Sequence, residues 1–555
     1  MEKTWLKQYT EGVPHELDLD PAESLVDIFT NACNYHGGQI AYSSLGQSLT
    51  YRELDDLTAR FATWLQTEAG LSRGDRVAIM MPNLLQYPVA LFGILRAGMI
   101  IVNVNPLYTP RELEFQLIDS GARAIVLASM SAATLAEVIN ETSVEQVIVT
   151  DVGDLFSFPQ RLMVNFILRH IKKMVPRYDI NNAVSLRSVL ATSPAGLRPE
   201  QLSGADLAVL QYTGGTTGRA KGAMLSHGNL VANVRQLNSW FAEGIEIGKE
   251  LIVTALPLYH VYALMCNCLC YLSHGGHNLL IIDPRDTSAF IREMKKYPFT
   301  AITGVNTLYQ SLINHPDLAT VDFSSLKVVS AGGMAVLDDT ARQWSAITRT
   351  VITEGYGLSE TSPVITSNPY GLKEFTGSIG LPLPNTEISL RDDNNCEVPV
   401  GESGELCVRG PQVMSGYWNN PDATAQVMTE DGFFRTGDIA IVDEQGYFTI
   451  VDRKKDMIIV SGFNVYPNEI ENVLTMHPDI IEAACVGVRD DRGREVVKAF
   501  LAVKPGAATD AAQMREFCRE NLTAYKVPAI IEFRTEMPKS AVGKILRREL
   551  RDNES

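Results

Sequence analysis

Short apolar runs alternate with stretches of helical spacing along most of this chain. Leu54, Leu57, Phe61 and Leu65 recur at helix intervals after Thr50, predicting an amphipathic helix that opens at Tyr51. The runs Val77-Ala78-Ile79-Met80, Ile100-Ile101-Val102-Asn103-Val104, Ala124-Ile125-Val126-Leu127 and Gln146-Val147-Ile148-Val149 come next. Leu251-Ile252-Val253, Leu279-Leu280-Ile281-Ile282, Lys327-Val328-Val329 and Thr350-Val351-Ile352 continue the series. Runs of this kind, separated by helices, predict parallel strands buried on both faces, hence an α/β fold. After Pro384 the rhythm changes. Glu387-Ile388-Ser389-Leu390, Glu405-Leu406-Cys407-Val408 and Tyr447-Phe448-Thr449-Ile450 alternate between Gly, Asn and Asp turns. They predict a small, mostly antiparallel β-rich subdomain over about 385–451. The charged run Asp452-Arg453-Lys454-Lys455-Asp456 reads as a linker or hinge. Strands at 484–488 and 498–503, with helices near 467–477, 511–522 and 544–551, predict a small α+β domain over 457–555.

Composition narrows the function classes. At 555 residues the chain is too long for one core, and a large domain over 1–451 precedes the hinge. A net charge of −17 argues against nucleic acid as a main partner. Eight cysteines without a Cys-x-x-Cys do not form a disulfide framework, and point to a reducing cytoplasm. The residues after Met1 lead into acidic sequence and not an apolar run, so no signal peptide is expected. The apolar stretch 255–273 is interrupted by Pro257, His260 and Asn267, which suits a buried segment better than a bilayer span. One stretch, 161–177, departs from the acidic balance: Arg161, Arg169, Lys172, Lys173 and Arg177 alternate with Phe166, Ile167, Leu168, Ile171 and Met174. Such a basic amphipathic helix can lie on an anionic membrane surface, or pack on its own domain with a solvated basic face.

The most informative stretch is Tyr212-Thr213-Gly214-Gly215-Thr216-Thr217-Gly218-Arg219-Ala220-Lys221-Gly222. Glycines let the backbone close into a loop whose N–H groups converge, threonines add hydroxyl donors, and Lys221 adds a mobile positive charge. Together they would cradle a polyphosphate, and the alternative is a polar surface loop. The spacing is not that of the P-loop, because Gly222 follows Lys221 where a serine or threonine belongs.

This stretch resembles the phosphate loop of the adenylate-forming enzymes, which include acyl-CoA synthetases, aryl-CoA ligases, luciferases and peptide-synthetase adenylation domains. Four further stretches match that family's signatures in order: Leu256-Pro257-Leu258-Tyr259-His260, Tyr356-Gly357-Leu358-Ser359-Glu360-Thr361, Phe434-Arg435-Thr436-Gly437-Asp438 and Pro538-Lys539-Ser540-Ala541-Val542-Gly543-Lys544-Ile545. The resemblance implies a large N-terminal domain with a β-barrel-like subdomain, and a mobile C-terminal domain. It implies that Tyr212, Thr213, Gly214, Gly215, Thr216, Thr217, Gly218, Lys221 and Gly222 bind the nucleotide phosphates. Tyr356 and Gly357 would meet adenine, with Gly332 and Gly333 lining the adenine and acyl sites. Thr361 would bond the α-phosphate. Glu360, with Thr217, would hold Mg²⁺, a hard cation that takes oxygen ligands.

Asp438 would accept both ribose hydroxyls, with Arg453 reaching the ribose or phosphate from the hinge. Lys544 would bridge the carboxylate and the α-phosphate, offsetting the repulsion between two anions. His260 would sit beside the acyl-adenylate. Lys455 occupies the family's hinge position. Gly462, Phe463 and Asn464 would serve the thioester step, after the small domain turns from the pose presenting Lys544 to one presenting this loop. Zinc is a rival reading for His260, Cys266, Cys268, Cys270, His274 and His277. The Cys-x-Cys-x-Cys spacing and apolar setting favour buried free thiols instead.

Within the family, Gln86-Tyr87-Pro88-Val89-Ala90-Leu91-Phe92-Gly93, Val104-Asn105-Pro106-Leu107-Tyr108-Thr109-Pro110 and Val451-Asp452-Arg453-Lys454-Lys455-Asp456 are similar to the long-chain acyl-CoA synthetases. The implied substrates are a long-chain fatty acid, ATP and CoA. The implied setting is a cytoplasmic homodimer held peripherally on the inner membrane. A medium-chain or aryl-CoA ligase, an acyl-AMP ligase serving a carrier protein, and a catalytically silent acyl-binding regulator are the alternatives.

Overall fold

The computed structural model describes residues 3–213, 220–460, 463–490, 494–504, 506–540 and 543–552, with Phe463 and Asp552 described by backbone alone. The large N-terminal domain holds two broad sheets. One has seven strands, in the order Val184–Ser185, Gln146–Thr150, Ala124–Ala128, Arg76–Met80, Ile100–Asn103, Leu207–Thr213 and Lys221–Ser226. The other has nine, in the order Leu381–Pro382, Val364–Ser367, Thr353–Gly357, Val328–Ala331, Ala301–Gly304, Leu251–Thr254, His277–Leu280, Ile40–Ser44 and Gln47–Thr50. The central pairs of both sheets are parallel; antiparallel strands close both edges of the nine-stranded sheet and the Lys221–Ser226 edge of the other, whose Val184–Ser185 edge is parallel. Strands such as Ala124–Ala128 and Leu251–Thr254 are buried along their whole length, as expected where helices cover both faces.

Four antiparallel strands, Glu387–Arg391, Gly404–Arg409, Phe434–Val442 and Phe448–Arg453, form the β-rich unit. The small C-terminal domain has a hairpin, Ile458–Val460 with Phe463–Val465, and a three-stranded sheet of Ile480–Arg489, Glu495–Val503 and Ile530–Arg534. Helices Pro467–Thr475 and Ala511–Asn521 pack with them around their own core.

Several sequence expectations shift. The strand expected at 350–352 instead runs Thr353–Gly357. Thr350 is taken up in ending the preceding helix, its hydroxyl accepting from Trp344 Nε1 (3.1 Å) and its N–H donating to the Thr348 hydroxyl (3.2 Å). Tyr356 and Gly357 therefore lie on the strand and not after it. Phe434–Val442 went unpredicted because Gly437, at φ 73°, interrupts its alternation. The helix expected from Lys544 opens at Arg547. Residues 161–177 form only a helix Gln160–Phe166 and a π-turn Ile167–Ile171. Among the described residues no helix is long and apolar enough to cross a membrane.

The two broad sheets are joined by buried polar contacts that fix the turn before His260. Asn83 follows the central strand of the seven-stranded sheet. Its side chain donates to the carbonyls of Thr254 (3.0 Å) and Leu256 (2.9 Å) and accepts from the Leu258 N–H (2.9 Å). The Tyr87 hydroxyl shares its proton between Asn103 Oδ1 (2.7 Å) and the Leu258 carbonyl (2.8 Å). Asn83→Leu would leave the Leu256 carbonyl and the Leu258 N–H unpaired, each costing about 1–3 kcal/mol, while the Thr254 carbonyl keeps its bond from the Ile281 N–H (3.0 Å). The expected outcome is a lower unfolding midpoint in urea together with weakened activity, because the His260 turn loses its anchor.

Candidate active site

The stretch expected to hold phosphate lies between two paired strands. Leu207–Thr213 and Lys221–Ser226 pair antiparallel, with Thr213 opposite Lys221 and Tyr212 opposite Gly222. The glycine- and threonine-rich turn comes between them. Gly214, Gly215, Thr216, Thr217 and Gly218 lie outside the described residues, as does Gly462. Thr213 and Lys221 line a cavity of about 650 Å³, joined there by His260, Gly332, Gly333, Tyr356, Gly357, Glu360, Asp438, Arg453, Lys455 and Lys544. The fold thus gathers residues from seven separate stretches of sequence. Its described lining carries six lysines and arginines against three carboxylates, in a protein of net charge −17. A cationic cavity in an acidic protein selects an anionic ligand.

Each position has a local cause. Tyr356 sits on an edge-paired strand, and its hydroxyl donates to Asp438 Oδ2 (2.6 Å). Asp438 is paired across the β-rich sheet with Arg453, whose Nε lies 3.3 Å from Asp438 Oδ1. Gly357 allows its strand to approach the turn at Pro363, since a Cβ there would overlap the Pro363 carbonyl. Glu360 is buried, and Oε1 accepts from the Tyr417 hydroxyl (2.8 Å). Burial pushes its carboxyl up, and the Tyr417 bond, Arg453 and Lys221 pull it back. The Lys221 ammonium stands 5.0 Å above the Tyr417 ring. Burial lowers the His260 imidazole to about 4, so the ring is neutral, and its Nδ1 lies 3.4 Å from the Tyr262 N–H.

Lys544 reaches the cavity from the small domain. It lies in a tight turn closed by the Lys539–Ile545 bridge. The turn rests on the large domain, where Gly543, at φ 81°, comes against Thr307. Burial, and then the neighbouring Arg453, lower the Lys544 ammonium to about 8, while Asp438 opposes the shift. Lys455 is lowered for the same first reason.

Three expected residues point elsewhere. The Tyr212 hydroxyl turns away to Asp119 Oδ2 (2.5 Å), and its ring packs under Gly222, whose missing side chain makes room for it. The Thr361 hydroxyl is engaged within its own turn, donating toward the carbonyls of Pro363 (2.5 Å) and Leu358 (3.1 Å), and is fully buried. It is therefore not turned to a phosphate, and Ser359 lines the cavity in its place. Asn464 faces only the wide cleft between the domains. Cys268 and Cys270 are buried thiols against Tyr42 (3.1 Å) and Met265 (3.9 Å). Among the described residues no group of three His, Cys, Asp or Glu could hold a metal ion.

Beyond His260 the cavity becomes apolar, walled by Leu237, Phe241, Ile252, Tyr262, Ile302 and Val328. Sequence reasoning found none of these, nor Tyr417. No local pattern marks a tunnel built from one or two residues of each element.

The profile of the AMP-binding enzyme family matches residues 29–418, and that of the AMP-binding enzyme C-terminal domain matches 469–544. The chain belongs to the AMP-binding enzyme family. The long-chain-fatty-acid–CoA ligase of Escherichia coli O6:H1 is 53% identical over 554 residues, covering 100% of this chain and 98% of that one. Among solved structures, ATP-bound MatB from Rhodopseudomonas palustris has a TM-score of 0.83 at 29% identity, covering 95% of this chain and 98% of its own. The anthranilate CoA ligase AuaEII in complex with anthranoyl-AMP has a TM-score of 0.85 at 25% identity, covering 97% and 98%.

Tyr417 joins Lys221 to Glu360 by stacking on one and bonding the other. Tyr417→Phe is expected to weaken ATP binding in the presence of Mg²⁺ by several-fold, about 1 kcal/mol, with the fold intact. Calorimetric titration of the variant and the parent checks it.

Proposed function

We infer that this chain activates long-chain fatty acids. The carboxylate attacks the α-phosphorus of ATP, giving acyl-AMP and pyrophosphate. The thiol of CoA then attacks the acyl carbon, giving acyl-CoA and AMP and releasing the thiol proton. The observation that carries this reading is 53% identity to a long-chain-fatty-acid–CoA ligase along the whole chain. The cationic cavity with an apolar extension suits its substrates.

In this reading the hairpin 207–226 and Lys221 hold the triphosphate, and Tyr356 faces the adenine. Asp438 and Arg453 anchor the ribose, and Gly332 and Gly333 leave room for the ligand against backbone. His260, uncharged, packs beside the acyl group. Glu360 presents a buried carboxylate to the cavity, the hard oxygen donor that Mg²⁺ prefers. A bound Mg²⁺ supplies charge neutralisation to the phosphates. Lys544 stands where two anions must meet. We place the domain boundary at the run 452–456, with Lys455 as pivot and the loop 462–464 serving the thioester step. After adenylation the small domain turns away.

We also propose that the chain works as a cytoplasmic homodimer that rests on the inner membrane through residues 158–177. Phe158, Leu162, Phe166 and Ile171 are 72%, 55%, 57% and 65% exposed, which is unusual for four neighbouring large side chains. Lys172, Lys173 and Arg177 are exposed beside them. Apolar insertion and attraction to anionic headgroups then act together.

Two experiments test these readings. Pyrophosphate release with oleate should proceed without CoA for a single turnover and continuously with it; no release at all would refute the activity. Lys544→Ala should abolish adenylation yet spare thioester formation from supplied acyl-AMP. Because the ammonium titrates near 8 and only its charged form serves, kcat/KM for adenylation should fall as pH rises above about 8. Lys544→Arg should carry that limb to higher pH. For the membrane, Lys172→Gln with Lys173→Gln and Phe166→Ser should reduce co-sedimentation with anionic vesicles; undiminished pelleting would return the segment to a merely solvated face.

A further inference from the structure

We propose that Asp452 and Arg547 form a latch that holds Lys544 in the cavity for adenylation and must open before the thioester step. The proposal rests on the two-pose reading above. Asp452 opens the boundary run but stays with the large domain, ahead of the Lys455 pivot: it lies on the strand Phe448–Arg453, opposite Ile439, and is fully buried. One partner is its own strand neighbour, the Arg453 N–H on Oδ1 (2.7 Å), and the others come from the small domain. Oδ2 accepts from the Asn468 N–H (2.7 Å), in the first turn of the helix Pro467–Thr475. Oδ1 accepts from Arg547 Nη1 (3.1 Å). Arg547 opens the helix Arg547–Asp552, directly after the turn that carries Lys544. That turn is pinned at its root by the Leu546 N–H on the Pro538 carbonyl (2.8 Å). Fixing Arg547 therefore fixes where Lys544 points.

The guanidinium has two kinds of arm. Nε and Nη2 bind Glu471 Oε1 (3.0 Å) and Oε2 (2.5 Å), and Nη2 also meets Asn468 Oδ1. Both residues are on the small domain and travel with Arg547. Nη1 crosses to Asp452, and it also lies 3.7 Å from Asp456 Oδ2 in the hinge run. A rotation about Lys455 leaves Asp452 behind with its sheet and carries Asn468 and Arg547 away. The buried carboxylate then loses its charged partner, which is costly unless something replaces it. The Asp452 arm thus favours one pose over the other, and its removal shifts the population. The Glu471 arm, common to both poses, holds the small domain together.

This asymmetry gives the test. Asp452→Asn keeps an acceptor for the Asn468 N–H and removes the charge. It is expected to slow adenylation, read as pyrophosphate release without CoA, by about tenfold. Thioester formation from supplied acyl-AMP and CoA should be unchanged or faster. Arg547→Lys, which keeps the charge, should lose less adenylation than Arg547→Gln. Glu471→Gln should lower the thermal midpoint and slow both half-reactions alike. If Asp452→Asn slows both half-reactions equally, or neither, the latch is overturned. Lys544→Ala run alongside separates the two ideas. A split with Lys544→Ala but none with Asp452→Asn removes the latch alone. No split with Lys544→Ala removes the two-pose reading and the latch with it.

Discussion

Activating a carboxylate with ATP requires two anions to touch. At about 4 Å and an effective dielectric of about 20, two unit negative charges repel by roughly 4 kcal/mol, which is about a thousandfold in rate. The rest of the structure answers to that repulsion. The cavity concentrates positive charge inside an acidic protein, and its described cations come from the hairpin of the seven-stranded sheet, from the β-rich unit and from the small domain. Lys544 is the extreme case. It is half-buried among Arg453, Lys455 and Arg547, so its proton is held less tightly than usual. An arriving anion reverses that imbalance. Positive charge set in place beforehand is preorganisation toward charge that develops in the reaction.

Such a site needs rigid walls. Large parallel sheets provide them because every backbone group in their strands is paired and both faces are covered. The functional side chains sit where this regularity stops. Thr213 and Lys221 flank a hairpin turn, and Gly357 ends an edge-paired strand at a close approach to Pro363. His260 follows a turn fixed by Asn83 and Tyr87. The Gln211 side chain, on the strand that carries Thr213, donates to the Tyr259 carbonyl (3.1 Å) and accepts from Asn103 Nδ2 (3.2 Å). The strand bearing Thr213 and the turn before His260 are thus braced against one another through a buried polar chain. Satisfied buried networks of this kind fix one arrangement, since any other leaves polar groups unpaired.

The sheets were legible in the sequence because buried parallel strands are apolar at every residue, a pattern that survives without knowledge of neighbours. Strand Phe434–Val442 was not, because its site residues Thr436, Gly437 and Asp438 sit in the middle and break the pattern. The same conflict misplaced the strand bearing Tyr356 and the helix after Lys544. Function and regularity compete there, and function wins. The motif-bearing stretches were legible as residue types in order, and most converge on one cavity. What motifs could not convey was orientation. Tyr212 and Thr361 both belong to expected nucleotide motifs, yet their hydroxyls serve Asp119 and the turn at Pro363. Tyr417 carried no signal of its own, although it touches both Lys221 and Glu360.

The apolar extension of the cavity marks the other limit. Its walls come from a helix, a π-helical segment and several strands, and each contributes residues that any core would contain. An apolar wall discriminates weakly in any case, since each added methylene is worth only about 1 kcal/mol. Chain-length selection in such a protein therefore depends on where the tunnel closes, a matter of shape. In the proposed latch, choice between the two half-reactions depends on charge, through partners such as Asp452 that one pose supplies and the other withdraws. These controls are physically separate. A substitution in the apolar wall can change which acid is used without disturbing the order of the chemistry, and one at the domain seam can do the reverse.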